Sequence, residues 1–260
     1  MKPKLKYNQL LILILFYLIA SSIGCWQILF IDGWPHNHEY LSFFERVEIF
    51  RIAMNSGDFF PLWTPFAAHG YGSPFPFFYH RLYSTIVALI ALIINSTYLA
   101  VKISVPLLLT FGAVGMYKTA QLMKLKMPYC IATGLLLIFA NYTLTDWLVR
   151  GAMAELSAAM LIPWLFYYCL NIIQGKAAGF KLGLIMACLF FAHSVIFYYS
   201  IIVFVITFIL AFLQQKYSQK TRSYIRSVHP FQCHQHSKFG TSMDIRYSRF
   251  TGNVIQCNDL

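Results

Sequence analysis

The chain has 260 residues, 58% of them apolar, 18% aromatic and only 11% charged, with a formal net charge of +11. Soluble domains average about 25% charged residues, which excludes an ordinary cytosolic globule, and the high apolar content excludes a disordered chain. The apolar residues collect in runs near the ~18–20 residues that cross a bilayer as a helix, so the expected fold is all-α and transmembrane, with five or six membrane-spanning helices and the lipid bilayer as its medium.

The charge is uneven. Residues 214–260 carry seven Lys and Arg against two acids. Much of the remainder is loop charge of the kind that orients membrane proteins. No aromatic-basic stripe or nucleic-acid module accompanies it, so no nucleic-acid partner is expected. The six cysteines contain no CxxC pair, which supports neither a zinc ribbon nor a redox motif.

Lys2, Lys4 and Lys6 precede an apolar run from Tyr7 to Ile31. Ser22-Ile23-Gly24-Cys25 hints at a lipoprotein cleavage site, but serine stands where an aliphatic residue is expected and the apolar run continues past it. An uncleaved first span with a cytoplasmic amino terminus is expected.

Residues 32–81 form the long polar loop of the apolar part, on the extracytoplasmic side in this reading. The loop holds Asp32, Glu39, Glu45, Glu48 and Asp58, five of the chain's nine acids. Residues 39–55 have helical periodicity: Tyr40, Phe43, Val47, Phe50 and Met54 share one face and Ser42, Glu45 and Arg46 lie opposite, as suits an amphipathic helix at the membrane interface. Gly57 is placed to cap its end. Pro61 to Tyr79, rich in Pro, Gly and aromatics, reads as an ordered, non-helical loop.

Apolar runs follow at 82–96, 99–117, 128–145, 153–173 and 182–213. The stretch 82–117 is broken by Asn95-Ser96-Thr97. Two crossings there would place Lys118, Lys124 and Lys126 outside; one net crossing would place them inside with Lys176 and Lys181, and would set 146–155 on the same side as the 32–81 loop. Charge favours one crossing and hydropathy favours two. The domain organisation expected is a polytopic membrane domain over 1–213 and a polar basic tail over 214–260, which lacks a sustained period and is expected to be disordered. An out-of-frame end after a truncated membrane domain would look like this, and the tail is expected not to be the natural continuation. His229, Cys233, His234 and His236 match no zinc spacing, and no metal or other cofactor is expected.

No phosphate-binding glycine loop, dinucleotide fingerprint, Gly-x-Ser-x-Gly elbow or His-Glu-x-x-His motif occurs. The chemistry left is carried by ionisable groups near the bilayer. Asp32, directly after the first span, has the makings of a general base at the membrane surface or of a solvated helix end. His36-Asn37-His38-Glu39 is a polar cluster in which His38 and Glu39 are candidates for substrate binding rather than for a metal. Arg150 and Glu155 lie between two apolar runs, where ionisable residues carry a functional hypothesis by default. His193, inside the last apolar run, reads as a packed histidine.

Asp32, the loop helix, Gly57-Asp58-Phe59-Phe60-Pro61-Leu62-Trp63, Gly70-Tyr71-Gly72-Ser73-Pro74, Phe77-Phe78-Tyr79, Arg150-Gly151-Ala152-Met153-Ala154-Glu155 and Pro163-Trp164 together resemble bacterial polytopic proteins of the GT-C glycosyltransferase superfamily. Within it, the likeness over residues 5–213 is to membrane proteins labelled 6-pyruvoyl-tetrahydropterin-synthase-related. The resemblance implies an enzyme of the bacterial inner membrane that passes a sugar from a polyprenyl-phosphate carrier to an extracytoplasmic acceptor of unknown identity. It implies Asp32 as catalytic base, and a lipid donor of that kind needs cations for its phosphate, for which Arg81 and Arg150 are candidates. His80-Arg81 stand where such proteins usually carry prolines, and the three-histidine zinc site of the soluble pterin synthases has no counterpart. The alternative is a non-enzymatic membrane protein, a transporter fragment or an assembly subunit, although a transporter should show internal repeats and none is convincing.

Overall fold

The structure, a computed structural model, describes residues 7–65 and 68–228. The chain divides into two units, Met1–Gln214 and Gln215–Leu260. Among the described residues the architecture is all-α: α1 (Tyr7–Gly24), α2 (Trp26–Phe30), α3 (Ser42–Asn55), α4 (Phe75–Phe78), α5 (Leu82–Ile94), α6 (Thr97–Leu122), α7 (Met127–Ile138), α8 (Asn141–Thr145), a π-helical turn (Asp146–Arg150), α9 (Met153–Ile173), α10 (Gly179–Ala192) and α11 (Ser194–Val228). The described part of the second unit is the stretch that completes α11; the rest of the tail, with His229, Cys233, His234 and His236, lies outside the described residues.

Among the described residues five helical segments are long and apolar enough to cross a bilayer: Tyr7–Gly24, Thr97–Leu122, Met127–Arg150, Met153–Ile173 and Ser194–Gln214. The central one is α6, which packs on α1, α5, α7 and α9. Hydrophobic burial does not drive helices together in lipid, so close backbone approach and hydrogen bonds must. Gly112 and Gly115 make room on α6 for Met160 and Trp164 of α9: a Cβ on either would stand 2.4 Å from the Met160 sulfur or 2.8 Å from the Trp164 indole nitrogen. Across the same seam Trp164 Nε1–H donates to the Phe111 carbonyl at 3.0 Å and the Thr119 hydroxyl to the Pro163 carbonyl at 2.9 Å. Against α7, the buried Tyr17 hydroxyl of α1 donates to the Ile131 carbonyl at 3.0 Å.

The loop helix forms as its pattern requires. Phe43, Val47, Phe50 and Met54 of α3 are buried, facing α5 and α6, and the helix ends at Asn55. Arg46 departs from the expected solvent face: it pairs with Glu39 at 2.9 Å and lies 3.9 Å from the Tyr79 ring centre, because the folded loop puts a carboxylate and an aromatic face within its reach. The stretch from Pro61 to Tyr79 is mostly irregular, held by the Thr64–Ser73 bridge, but Phe75–Phe78 closes one helical turn behind Pro74.

Contacts decide the crossing left open at 82–117. Arg81, at the start of α5, donates its backbone N–H to the Phe191 carbonyl at 3.0 Å, at the end of α10. Tyr98, at the start of α6, bonds Gly33, just beyond α2. Glu39 and His38 bond the π-helical turn. All these points lie at one end of the bundle, so α5 makes no net crossing. Its 13 residues span about 20 Å. Asn95 closes α5 in the left-handed region (φ 56°) and the Ser96 side chain caps α6 by accepting from Leu99 N–H at 3.3 Å. Lys118, Lys124, Lys126, Lys176 and Lys181 then gather at the opposite end, as the charge pattern favours. The apolar run at 182–213 is in turn two helices, because His193 adopts an extended conformation (φ −164°, ψ 112°) between α10 and α11.

Candidate functional site

The end of the bundle that carries residues 32–81 gathers most of the ionisable side chains near the helices. Its floor is the π-helical turn, where one extra residue per turn re-aims side chains that an α-helix would stack. Asp146 is fully buried there. Arg150 donates to Asp146 Oδ1 at 2.8 Å and to Glu155 Oε2 at 2.5 Å, and the Tyr142 hydroxyl donates to the other Glu155 oxygen. One guanidinium thus joins two carboxylates from consecutive helical segments. Gly151, in the left-handed region at φ 71°, makes the corner between them.

The first loop docks on this floor through its backbone. His38 N–H donates to the Val149 carbonyl and Glu39 N–H to the Arg150 carbonyl, each at 3.2 Å, and the Asn37 side-chain amide donates to the Trp147 carbonyl at 3.1 Å. The docking leaves no room for a side chain at Gly151, where a Cβ would lie 2.5 Å from Asn37 Oδ1. Asn37 Oδ1, Asp146 Oδ2, Trp34 Nε1 and Trp147 Nε1 are buried at this junction without a hydrogen-bond partner among the described residues.

Beside the floor, α3 and residues 79–81 form a wall. The Glu39–Arg46 pair stacks on Tyr79, and the next residue, His80, stacks on His193 with ring centres 4.4 Å apart while its Nδ1 accepts from Ser194 N–H at 3.3 Å. Burial, then the neighbouring His193 ring and the Arg46 guanidinium, press the His80 pKa below its ordinary value. A histidine depressed in the folded state binds its proton more readily when unfolded, so stability from this site is present above about pH 6.5 and is lost as the pH falls toward the folded value. The thermal midpoint in detergent is therefore expected to fall more between pH 7 and pH 5 in the parent chain than in His80→Gln; equal falls would remove His80 as the cause.

Arg81 turns the other way. Its guanidinium donates to the Pro61 carbonyl at 2.8 Å and lies 4.4 Å from the Phe60 ring centre. The His38 side chain is exposed.

Asp32 occupies a neighbouring corner, in the bend that follows α2. It is exposed and has no hydrogen bond or ion pair among the described residues. Its neighbours are fixed. The Tyr98 hydroxyl accepts from Gly33 N–H at 2.9 Å and donates to the Gly33 carbonyl at 2.8 Å, and the Lys102 ammonium donates to the Ile31 carbonyl at 2.9 Å.

The structure thus brings Glu39, Arg150 and Glu155 into one polar cluster, with Arg81 on its flank through His80, and places Asp32 at the adjoining corner. Sequence reasoning missed Asn37, Arg46, Asp146 and Lys102. Asp146 sits at an apolar run's end and Lys102 inside one, and an ionisable group at such a position is the signal that finds them. Among the described residues no group of three or more His, Cys, Asp or Glu side chains is placed to hold a metal.

A family model described as 6-pyruvoyl-tetrahydropterin synthase related domain, membrane protein, matches residues 70–231. No curated protein and no solved structure matches the chain.

Proposed function

The chain belongs to the 6-pyruvoyl-tetrahydropterin-synthase-related family of membrane proteins, and from that premise we propose that it is a GT-C-type glycosyltransferase of the bacterial inner membrane, moving a sugar from a polyprenyl-phosphate carrier to an extracytoplasmic acceptor. The observation that carries this reading is Asp32: an exposed carboxylate without a partner among the described residues, in a bend whose two neighbouring residues are tied to α6. A carboxylate so placed is free to take the acceptor's hydroxyl proton as the glycosidic bond forms.

Other features support it. Glu39, Arg150 and Glu155 offer hydrogen-bonding groups to a sugar, Arg81 and Arg150 are the candidate cations for the carrier phosphate, and the His38 side chain is exposed. A cavity of about 320 Å³, lined almost wholly by apolar atoms, lies among α5, α6, α9 and α10, with Tyr83, Ile86, Leu107 and Phe111 on its walls; it gives hydrocarbon space beside the polar cluster.

The test is transfer by membranes containing the chain, offered a panel of radiolabelled polyprenyl-phosphate sugars, with Asp32→Asn as the comparison. Full activity in the variant would remove Asp32 as the base, and no transfer from any donor would favour a non-enzymatic role. The sidedness has its own test. In a background without the native cysteines, a membrane-impermeant maleimide applied from outside is expected to label a cysteine at Ser56 and not one at Asn8; the reverse pattern would overturn the orientation and the site together.

A further inference from the structure

The bend that carries Asp32 is held by two side chains of one helix, one of which, Tyr98, also stacks its ring on Phe44 of α3 with centres 6.1 Å apart. Tyr98 and Lys102 lie four residues apart, on one face of α6 at its first turns. The Tyr98 hydroxyl closes a two-bond ring on Gly33, taking its N–H and giving to its carbonyl. Lys102 reaches past it to the Ile31 carbonyl, with its ammonium 4.6 Å from the Tyr98 ring centre. Three consecutive backbone units, Ile31, Asp32 and Gly33, are therefore pinned on both flanks of the carboxylate.

The pinning has something to oppose. Gly33 sits at φ 96°, where glycine alone is unstrained, and glycine is also the residue with the most alternative conformations to escape into. Asp32 itself contributes no bond among the described residues, so its direction is set by its neighbours.

Lys102 is costly where it stands. It is 5% exposed, inside a membrane-spanning helix, and no carboxylate among the described residues pairs with it. A buried ammonium is expensive unless its interactions repay desolvation, and here they are one carbonyl and one aromatic face. Packing alone would favour methionine or leucine at this position.

We propose that Tyr98 and Lys102 are positioning residues that hold Asp32 in its reactive direction, with Lys102 fixing the residue before the carboxylate and Tyr98 the residue after it. This rests on the reading of Asp32 as the general base, but the clamp has a readout that does not need catalysis.

The first measurement is the electron paramagnetic resonance spectrum of a nitroxide attached at Asp32→Cys, in the full chain in lipid vesicles, in a background without the native cysteines. Tyr98→Phe keeps the ring and removes both bonds to Gly33; Lys102→Met keeps the stem and removes the ammonium. Each is expected to add a mobile component to the spectrum. Tyr129→Phe, at the far end of α7 and exposed, is expected to add none. Unchanged spectra in Tyr98→Phe and Lys102→Met would overturn the clamp.

The second measurement keeps Asp32 and uses the donor that the panel identifies. A base displaced by about 1 Å loses rate, not binding, so kcat is expected to fall about 10–100-fold with KM within about twofold. If Asp32→Asn abolishes transfer while both clamp variants keep full kcat, the positioning role is wrong and the general base stands. If Asp32→Asn is silent, the general-base reading fails and the spectra alone decide whether the clamp exists.

Discussion

Asp32→Asn is expected to lower sugar transfer by about 10²–10⁴-fold, the usual cost of removing a positioned general base. Asparagine keeps the size and polarity of the side chain and cannot accept a proton at neutral pH, so the loss falls on the chemical step. The structure limits what else can change. The Asp32 side chain is exposed and makes no internal bond among the described residues, and the bend around it is held through the backbone of Ile31 and Gly33. Membrane insertion, protein level and thermal midpoint are expected to stay within those of the parent chain. Glu45→Gln serves as the control, because it removes a carboxylate from the exposed side of α3 in the same loop, and transfer there is expected to stay within about twofold; a loss equal to that of Asp32→Asn would mean that loop charge in general, and not one base, sets the rate.

The largest expected effect on stability is that of Arg150→Met. Its guanidinium bridges Asp146 at 2.8 Å and Glu155 at 2.5 Å, so the substitution leaves two carboxylates facing each other with no cation between them. The Asp146 side chain is fully buried, and one of its oxygens already lacks a partner among the described residues. Removing one member of a buried ion pair costs about 3–5 kcal/mol; the Arg150 side chain is 41% exposed, which screens the network and places the loss near 3 kcal/mol. The first loop should loosen as well, since it hangs on the Val149 and Arg150 carbonyls of the same turn. Thermal unfolding in detergent measures the loss. Adding Asp146→Asn to Arg150→Met is expected to return part of it, because the buried group no longer carries charge. A thermal midpoint unchanged in Arg150→Met would mean that the network does not hold the turn.

Much of this architecture is local and therefore legible in the sequence. The apolar face of α3 is written in the spacing of Phe43, Val47, Phe50 and Met54, and its end in Asn55-Ser56-Gly57, because helical periodicity and capping act within one turn. Asn95-Ser96-Thr97 marks a true break for the same reason: asparagine tolerates the left-handed region and serine caps the next helix. The all-α membrane class follows from run length alone. Arg150 and Glu155 stand out in sequence because charge between two apolar runs needs a partner.

What the sequence leaves open is whatever depends on which ends meet. The 82–117 stretch has one hydropathy reading and one charge reading, and only the contacts of Arg81 with Phe191 and of Tyr98 with Gly33 set both ends of α5 at one end of the bundle. The run at 182–213 carries no proline, and its polar pair His193-Ser194 reads as a packed histidine in the sequence; only the structure shows the chain extended there, with the ring of His80 stacked on His193. Arg46 reads as solvent-facing from periodicity, yet Glu39 and Tyr79, seven and thirty-three residues away in sequence, draw it inward. Asn37 meets Trp147 across 110 residues, a pairing made of one amide and one carbonyl, which leaves no pattern to read. Lys102 is a single charge in an apolar run until α6 is set beside the end of α2. Length, periodicity and capping determine which segments are helices; backbone carbonyls and side chains brought together from distant segments determine where the carboxylates point, because those bonds form only after the helices have packed.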